Sequence, residues 1–123
     1  MQFLTDRKRA AGLGSAKSGS EQHWNMTVSS YALVVLTPLF VFSFGGILGS
    51  SYDQVVAYYS QPYPAILAAL FFGVAFMHFK NGVRVLIEDY VHGLMREWLI
   101  IATTCLSYAA AATALFALAR LAL

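Results

Sequence analysis

The sequence predicts an all-α membrane protein with three transmembrane helices. Hydrophobic residues make up 59% of the 123 positions and charged residues 11%, against a charged share of roughly 25% in average soluble domains. The apolar residues gather into three stretches, at about 28–48, 64–87 and 98–121. Each approaches or exceeds the ~20 residues a helix needs to cross ~30 Å of hydrocarbon.

The same composition closes off several functions. Eight Lys and Arg against six Asp and Glu leave a formal net charge of only +2, too weak a basic field to hold a nucleic-acid backbone. The single cysteine, Cys105, can form no internal disulfide and supplies too little sulfur for an iron-sulfur site. It reads as a small buried hydrophobe of the third span. Any redox chemistry here must use something other than this chain's sulfur, and no room is left for a separate enzymatic domain of ~50 residues or more.

Residues 1–27 read as a polar tail on the cytoplasmic or matrix side, and 28–123 as the three-helix membrane unit. The tail carries Asp6, Arg7, Lys8, Arg9 and Lys17 beside Gly12, Gly14, Ser15, Ser18, Gly19 and Ser20, a composition that cannot bury a core. A Gly/Ser stretch follows its charges where a secretory signal would have a short apolar region, so the tail is expected to persist in the mature protein.

The first span has no charged residue between Glu21 and Asp53, and Pro38 within it removes one backbone hydrogen bond and is expected to bend the helix. The second begins after Gln61-Pro62-Tyr63-Pro64, where proline in a first turn loses no helical bond. Ala109 to Ala112, Ala114, Ala117 and Ala119 make the third span small-sided, which lets another helix approach closely.

Loop charges give the orientation. The connection from Gly49 to Tyr63 has no Lys or Arg, whereas the tail has four and the second turn has Arg96, with Arg84 just inside the helix end. The N-terminus and the second turn are therefore expected on the cytoplasmic side and the C-terminus on the other. Arg120 runs against the trend, but its long stem reaches the headgroups. Tyr52, Tyr58, Tyr59 and Tyr63 are placed for an outer aromatic belt, and Trp24 and Trp98 for an inner one.

The second span carries the chemistry, because polar groups inside hydrocarbon are costly. Within His78-Phe79-Lys80-Asn81-Gly82-Val83-Arg84-Val85-Leu86-Ile87-Glu88-Asp89-Tyr90, His78 and Asp89 fall about 20° apart around the helix and about 16 Å apart along it. Lys80, Arg84 and Glu88 repeat at four-residue spacing on another face, where Arg84 can pair with Glu88 and the stripe reads as positional. His78 lies too deep for its imidazole to reach either headgroup layer. Two readings of it stand: a hydrogen bond to another helix, or one ring nitrogen on a metal while the other donates to a neighbour. A haem iron suits an apolar, sulfur-free site completed by a second chain, and Gly82, one turn on, leaves room for a flat macrocycle. His23 and His92 lie outside the spans and read as solvated interfacial residues. Asp89 and Tyr90 read either as a helix-end carboxylate and a belt aromatic, or as the proton-handling pair that quinone reduction requires.

His78, ten intervening residues, and Asp89-Tyr90 near the end of the second of three spans resemble the smaller hydrophobic membrane anchor of succinate dehydrogenase, respiratory complex II. The stretch Leu13-Gly14-Ser15-Ala16-Lys17-Ser18-Gly19 followed by His23-Trp24 is similar to the tail of bacterial members, so the resemblance covers essentially the whole chain.

The resemblance implies half of a heterodimeric helix bundle in a bacterial inner membrane. His78 would be an axial ligand of a haem b shared with the larger cytochrome b anchor subunit. Tyr90 would hydrogen-bond ubiquinone, and Asp89 would line the same site near the iron-sulfur subunit. Succinate would be oxidised on a flavoprotein subunit, with electrons passing through iron-sulfur clusters to quinone. Many members carry an arginine where the first span begins; Met26-Thr27-Val28-Ser29-Ser30 is uncharged, which leaves Arg84 or a partner residue to neutralise the haem propionates. A quinol:fumarate reductase anchor shares this architecture, and a small self-associating pore lined by Lys80, Arg84 and Glu88 is the reading from a different class.

Overall fold

A computed structural model describes residues 3–12, 14 and 19–123. Leu13 and Ser15–Ser18, part of the tail motif above, lie outside the described residues. Five α-helices follow in order: α1 (Asp6–Ala11), α2 (Gly19–Gly45), α3 (Tyr52–Tyr59), α4 (Pro62–Tyr90) and α5 (Gly93–Ala122). Three of them, α2, α4 and α5, are long and apolar enough to cross a membrane.

The tail is not devoid of structure. Thr5 caps α1, its hydroxyl accepting from the Lys8 amide at 3.3 Å, with Asp6 in the first turn and Lys8 and Arg9 in the last, an order that suits the helix dipole. Helix α2 then starts at Gly19, well ahead of the apolar stretch that opens at Val28, and runs unbroken through Pro38. Its hydroxyls turn back on their own helix: Thr27 donates to the His23 carbonyl at 3.0 Å and Ser30 to the Met26 carbonyl at 2.8 Å. This is how polar groups of an apolar helix are satisfied where water is excluded.

Helix α4 is the centre of the molecule, packing against both α2 and α5, whereas α2 and α5 do not meet among the described residues. Phe40 of α2 fixes the first interface, stacking on Phe71 with ring centroids 4.3 Å apart and meeting Phe72 edge-on at 5.4 Å. Such pairs add about 0.5–1.5 kcal/mol beyond area burial. The second interface uses small side chains. Thr103, Ser107, Ala110, Ala111 and Ala114 all lie on the less accessible side of α5; their spacing is that of one helical face. Ser107 is the best buried of them, at 3% exposure. Its hydroxyl donates to the Thr103 carbonyl at 2.7 Å. Ala109, Ala112, Ala117 and Ala119 face outward instead.

Between α4 and α5 stand only Val91 and His92, and Gly93 takes φ of 68°. That left-handed conformation, costly for any side chain with a Cβ, turns the chain back within one short connection.

Helix α3 fills what reads in the sequence as an outer loop. The Gln54 side chain accepts from the Ser51 amide at 3.0 Å, satisfying the helix start. Tyr58 hydrogen-bonds Ser43 at the end of α2, with 2.6 Å between hydroxyls, and Tyr59 is buried. Burial, with a smaller push from Tyr58, raises the Tyr59 phenol above its usual pKa. Only Tyr52 and Tyr63 of the expected outer belt stand exposed; the other two are spent on fastening α3.

Candidate functional site

Helix α4 is 29 residues long, about 43 Å at 1.5 Å per residue, and His78 sits about 3 Å beyond its midpoint. The helix therefore carries this imidazole close to the middle of any bilayer it crosses. Nδ1 of His78 lies 2.9 Å from Oγ of Ser29 on α2. Ser29 Oγ also lies 3.0 Å from the Met26 carbonyl, to which it donates. If its one proton goes there, Ser29 is left as an acceptor and Nδ1 carries the imidazole hydrogen; the direction of the Ser29–His78 bond follows the tautomer. Nε2 then holds a lone pair. No described residue hydrogen-bonds it.

His78 also walls an open cleft of about 500 Å³ with Ser30, Leu33, Val34, Thr37 and Pro38 of α2. Pro38 has no amide hydrogen, so the Val34 carbonyl loses its usual intrahelical donor within this cleft. At Gly82 a Cβ would come 3.7 Å from Cε of Met26, an ordinary contact distance, so α2 lies beside this glycine.

The charged stripe is internally engaged. Arg84 Nε donates to Glu88 at 2.9 Å, the pairing that the four-residue spacing predicts. Lys80 Nζ reaches Tyr108 of α5, 3.1 Å from its hydroxyl and 5.0 Å from the ring centroid, so the deepest cation is held by both the oxygen and the π-face. Asp89 and Tyr90 close α4. Tyr90 is 81% exposed, and neither side chain has a hydrogen-bond partner among the described residues. They stand about 16 and 18 Å along the axis from His78.

Sequence reasoning missed Ser29, whose only signal is a hydroxyl pair, Ser29-Ser30, inside an apolar span. It also missed a cavity of about 490 Å³ between the start of α2 and the end of α4, lined in part by Gln22, His23, Met26, Thr27 and Glu88. Nε2 of Gln22 is buried without a partner. His23 and His92 are exposed.

The donor set can be tested against a metal. Among the described residues no three His, Cys, Asp or Glu come together, so the chain cannot by itself chelate a naked ion that takes three or four protein ligands. One imidazole nitrogen over an apolar wall fits iron already held by a porphyrin, needing only axial ligands. The residues present would fit a haem, with His78 the candidate ligand; Arg84 Nε holds Glu88 while its terminal nitrogens could meet an anionic group.

Three spanning helices in an open row, the middle one bearing a histidine at mid-depth, define a multi-pass membrane subunit made to be completed by other chains. The comparisons agree with that class. Residues 2–118 match the family described as succinate dehydrogenase/fumarate reductase transmembrane subunit. Over 123 residues the chain is 46% identical to the succinate dehydrogenase hydrophobic membrane anchor subunit of Paracoccus denitrificans, covering 100% of this chain and 95% of that one. No solved structure matches. The chain belongs to the succinate dehydrogenase/fumarate reductase transmembrane subunit family, as a membrane anchor subunit of the succinate dehydrogenase complex.

Proposed function

We propose that this anchor binds haem b through His78 and, together with the iron-sulfur subunit and the larger cytochrome b anchor, forms the site where ubiquinone is reduced. The observation that carries the reading is the His78 ring itself, its Nδ1 held by Ser29 at 2.9 Å and its other nitrogen without a partner among the described residues, at the wall of an apolar cleft. A second ligand to the haem iron would come from the larger anchor, since His78 is the one histidine near mid-span, His23 lying in the first turns of α2 and His92 between α4 and α5.

Haem, when bound, supplies a one-electron store within the membrane. The chain's residues supply position and protons. Each quinone carbonyl gains a proton as electrons arrive. Tyr90 donates a hydrogen bond to one carbonyl, and Asp89 takes protons from water and passes them toward the site. Arg84 is the candidate contact for a haem propionate. The flavoprotein and iron-sulfur subunits dock on the face where α4 ends, which places the N-terminus and the α4–α5 turn on the cytoplasmic side of a bacterial inner membrane.

A pore lined by Lys80, Arg84 and Glu88 is the weaker reading, because Lys80 bonds Tyr108 and Arg84 Nε bonds Glu88 within the chain. The test is His78→Ala in the assembled complex. The reduced-minus-oxidised haem spectrum should lose intensity or shift; an unaltered spectrum removes His78 as ligand and the reading with it.

A further inference from the structure

We propose that Ser29 is a positioning residue for His78: it fixes the imidazole with its hydrogen on Nδ1, and through that bond sets how strongly Nε2 donates to iron. The inference rests on the proposed haem role of His78. Its starting point is the pair of contacts at one hydroxyl, 2.9 Å to His78 Nδ1 and 3.0 Å to the Met26 carbonyl. Ser29 lies 49 residues away in sequence and on a different span, so the contact is made only when α2 packs on α4.

The chemistry follows from proton counting. A hydroxyl has one hydrogen to give and lone pairs to receive. If Ser29 gives to the Met26 carbonyl, it receives from Nδ1–H, and Nε2 is the free donor atom. If Ser29 gave to Nδ1 instead, the ring hydrogen would sit on Nε2 and block ligation. Ser30 also donates to the Met26 carbonyl, at 2.8 Å, so two hydroxyls compete for that carbonyl beside the helix's own amide. Ligation through Nε2 resolves the competition in favour of Nδ1–H, because that arrangement alone leaves a lone pair for iron. A hydrogen bond accepted from Nδ1–H moves electron density into the ring and makes Nε2 a stronger donor, which favours the ferric state and holds the potential down.

The second candidate acceptor for the ring does not compete. The Val34 carbonyl, released by Pro38, borders the same cleft as His78, but Nδ1 is already engaged by Ser29. Lys80 and Arg84, the nearest cations along α4, are held by Tyr108 and Glu88.

The experiment is a potentiometric titration of haem in the purified complex carrying Ser29→Ala, Ser29→Thr or Ser29→Cys, with His78→Ala as reference. Ser29→Ala is expected to keep the haem and raise its midpoint potential, and Ser29→Thr to return it toward the wild-type value. Ser29→Cys, which keeps the volume but offers a weak acceptor, should shift in the same direction as alanine by a smaller amount and serves if the alanine variant fails to assemble. An unchanged or lowered potential in Ser29→Ala or Ser29→Cys, or the same shift in Ser29→Thr as in Ser29→Ala, overturns the proposal. If His78→Ala alters the haem spectrum while the serine variants do not move the potential, the role of Ser29 fails and that of His78 stands; an unaltered spectrum in His78→Ala fails both.

Discussion

Tyr90 and Asp89 sit at the end of α4 with no hydrogen-bond partner among the described residues, and Tyr90 is 81% exposed. A phenol bearing one donor hydrogen and left unpaired is available to a substrate carbonyl. If it is the group that protonates or polarises quinone, Tyr90→Phe removes one hydroxyl and almost no volume. Succinate-to-ubiquinone turnover should then fall by roughly 10- to 100-fold, at or below the lower end of what a positioned proton donor contributes. Succinate oxidation with an artificial acceptor, which draws electrons ahead of the membrane, should change by less than about twofold. Equal loss of both activities would mean that Tyr90 holds the complex together and does not handle quinone. Lys80 shows the opposite fate of a polar residue in α4: its ammonium is fastened to Tyr108 within the chain, where it ties α4 to α5.

At the scale of helices, the three long elements were legible because charge-free apolar runs above the bilayer length have few other readings. What packing alone decides was not. Helix α3 has eight residues and no long period to read, and its role depends on Tyr58 finding Ser43 across the connection. The start of α2 at Gly19 lies in polar sequence, where apolar periodicity is silent. Ser29 could not be matched to His78, because the register between two spans is not written in either. The small face of α5 was read as a surface for another helix, and the structure divides it: Ala110, Ala111 and Ala114 lie on the side shared with Ser107, while Ala109 and Ala112 look outward. Ser107, 3% exposed, tests that division. Ser107→Leu forces extra methylenes between α4 and α5 and should cost about 1–3 kcal/mol, seen as faster thermal inactivation of the detergent-solubilised complex. Ser107→Ala loses only a bond to its own helix and should differ little from wild type. A leucine variant as durable as the parent would show that α4 and α5 do not pack through this face.

For the whole molecule, the distribution of cations against the helix order makes a prediction that no single residue makes. Arg7, Lys8 and Arg9 precede α2, and Arg96 follows the α4–α5 turn, whereas the segment joining α2 to α4 through α3 contains no Lys or Arg. Three spans put the first two groups on one side and α3 on the other. Basic segments are retained on the cytoplasmic side during insertion, so α3 should face the periplasm. The chain's own cysteine, Cys105, expected from the sequence to be buried, is instead exposed on α5 and must be removed first, as Cys105→Ser. In that background, Ser60→Cys just after α3 should react with a membrane-impermeant maleimide in intact cells, and Ser20→Cys at the start of α2 only after the membrane is opened. The reverse pattern would turn the molecule over. Tyr90 and Asp89, at the far end of α4 from α3, would then face the periplasm, away from soluble subunits on the cytoplasmic side, and the proposed route from succinate to quinone would have no continuous path.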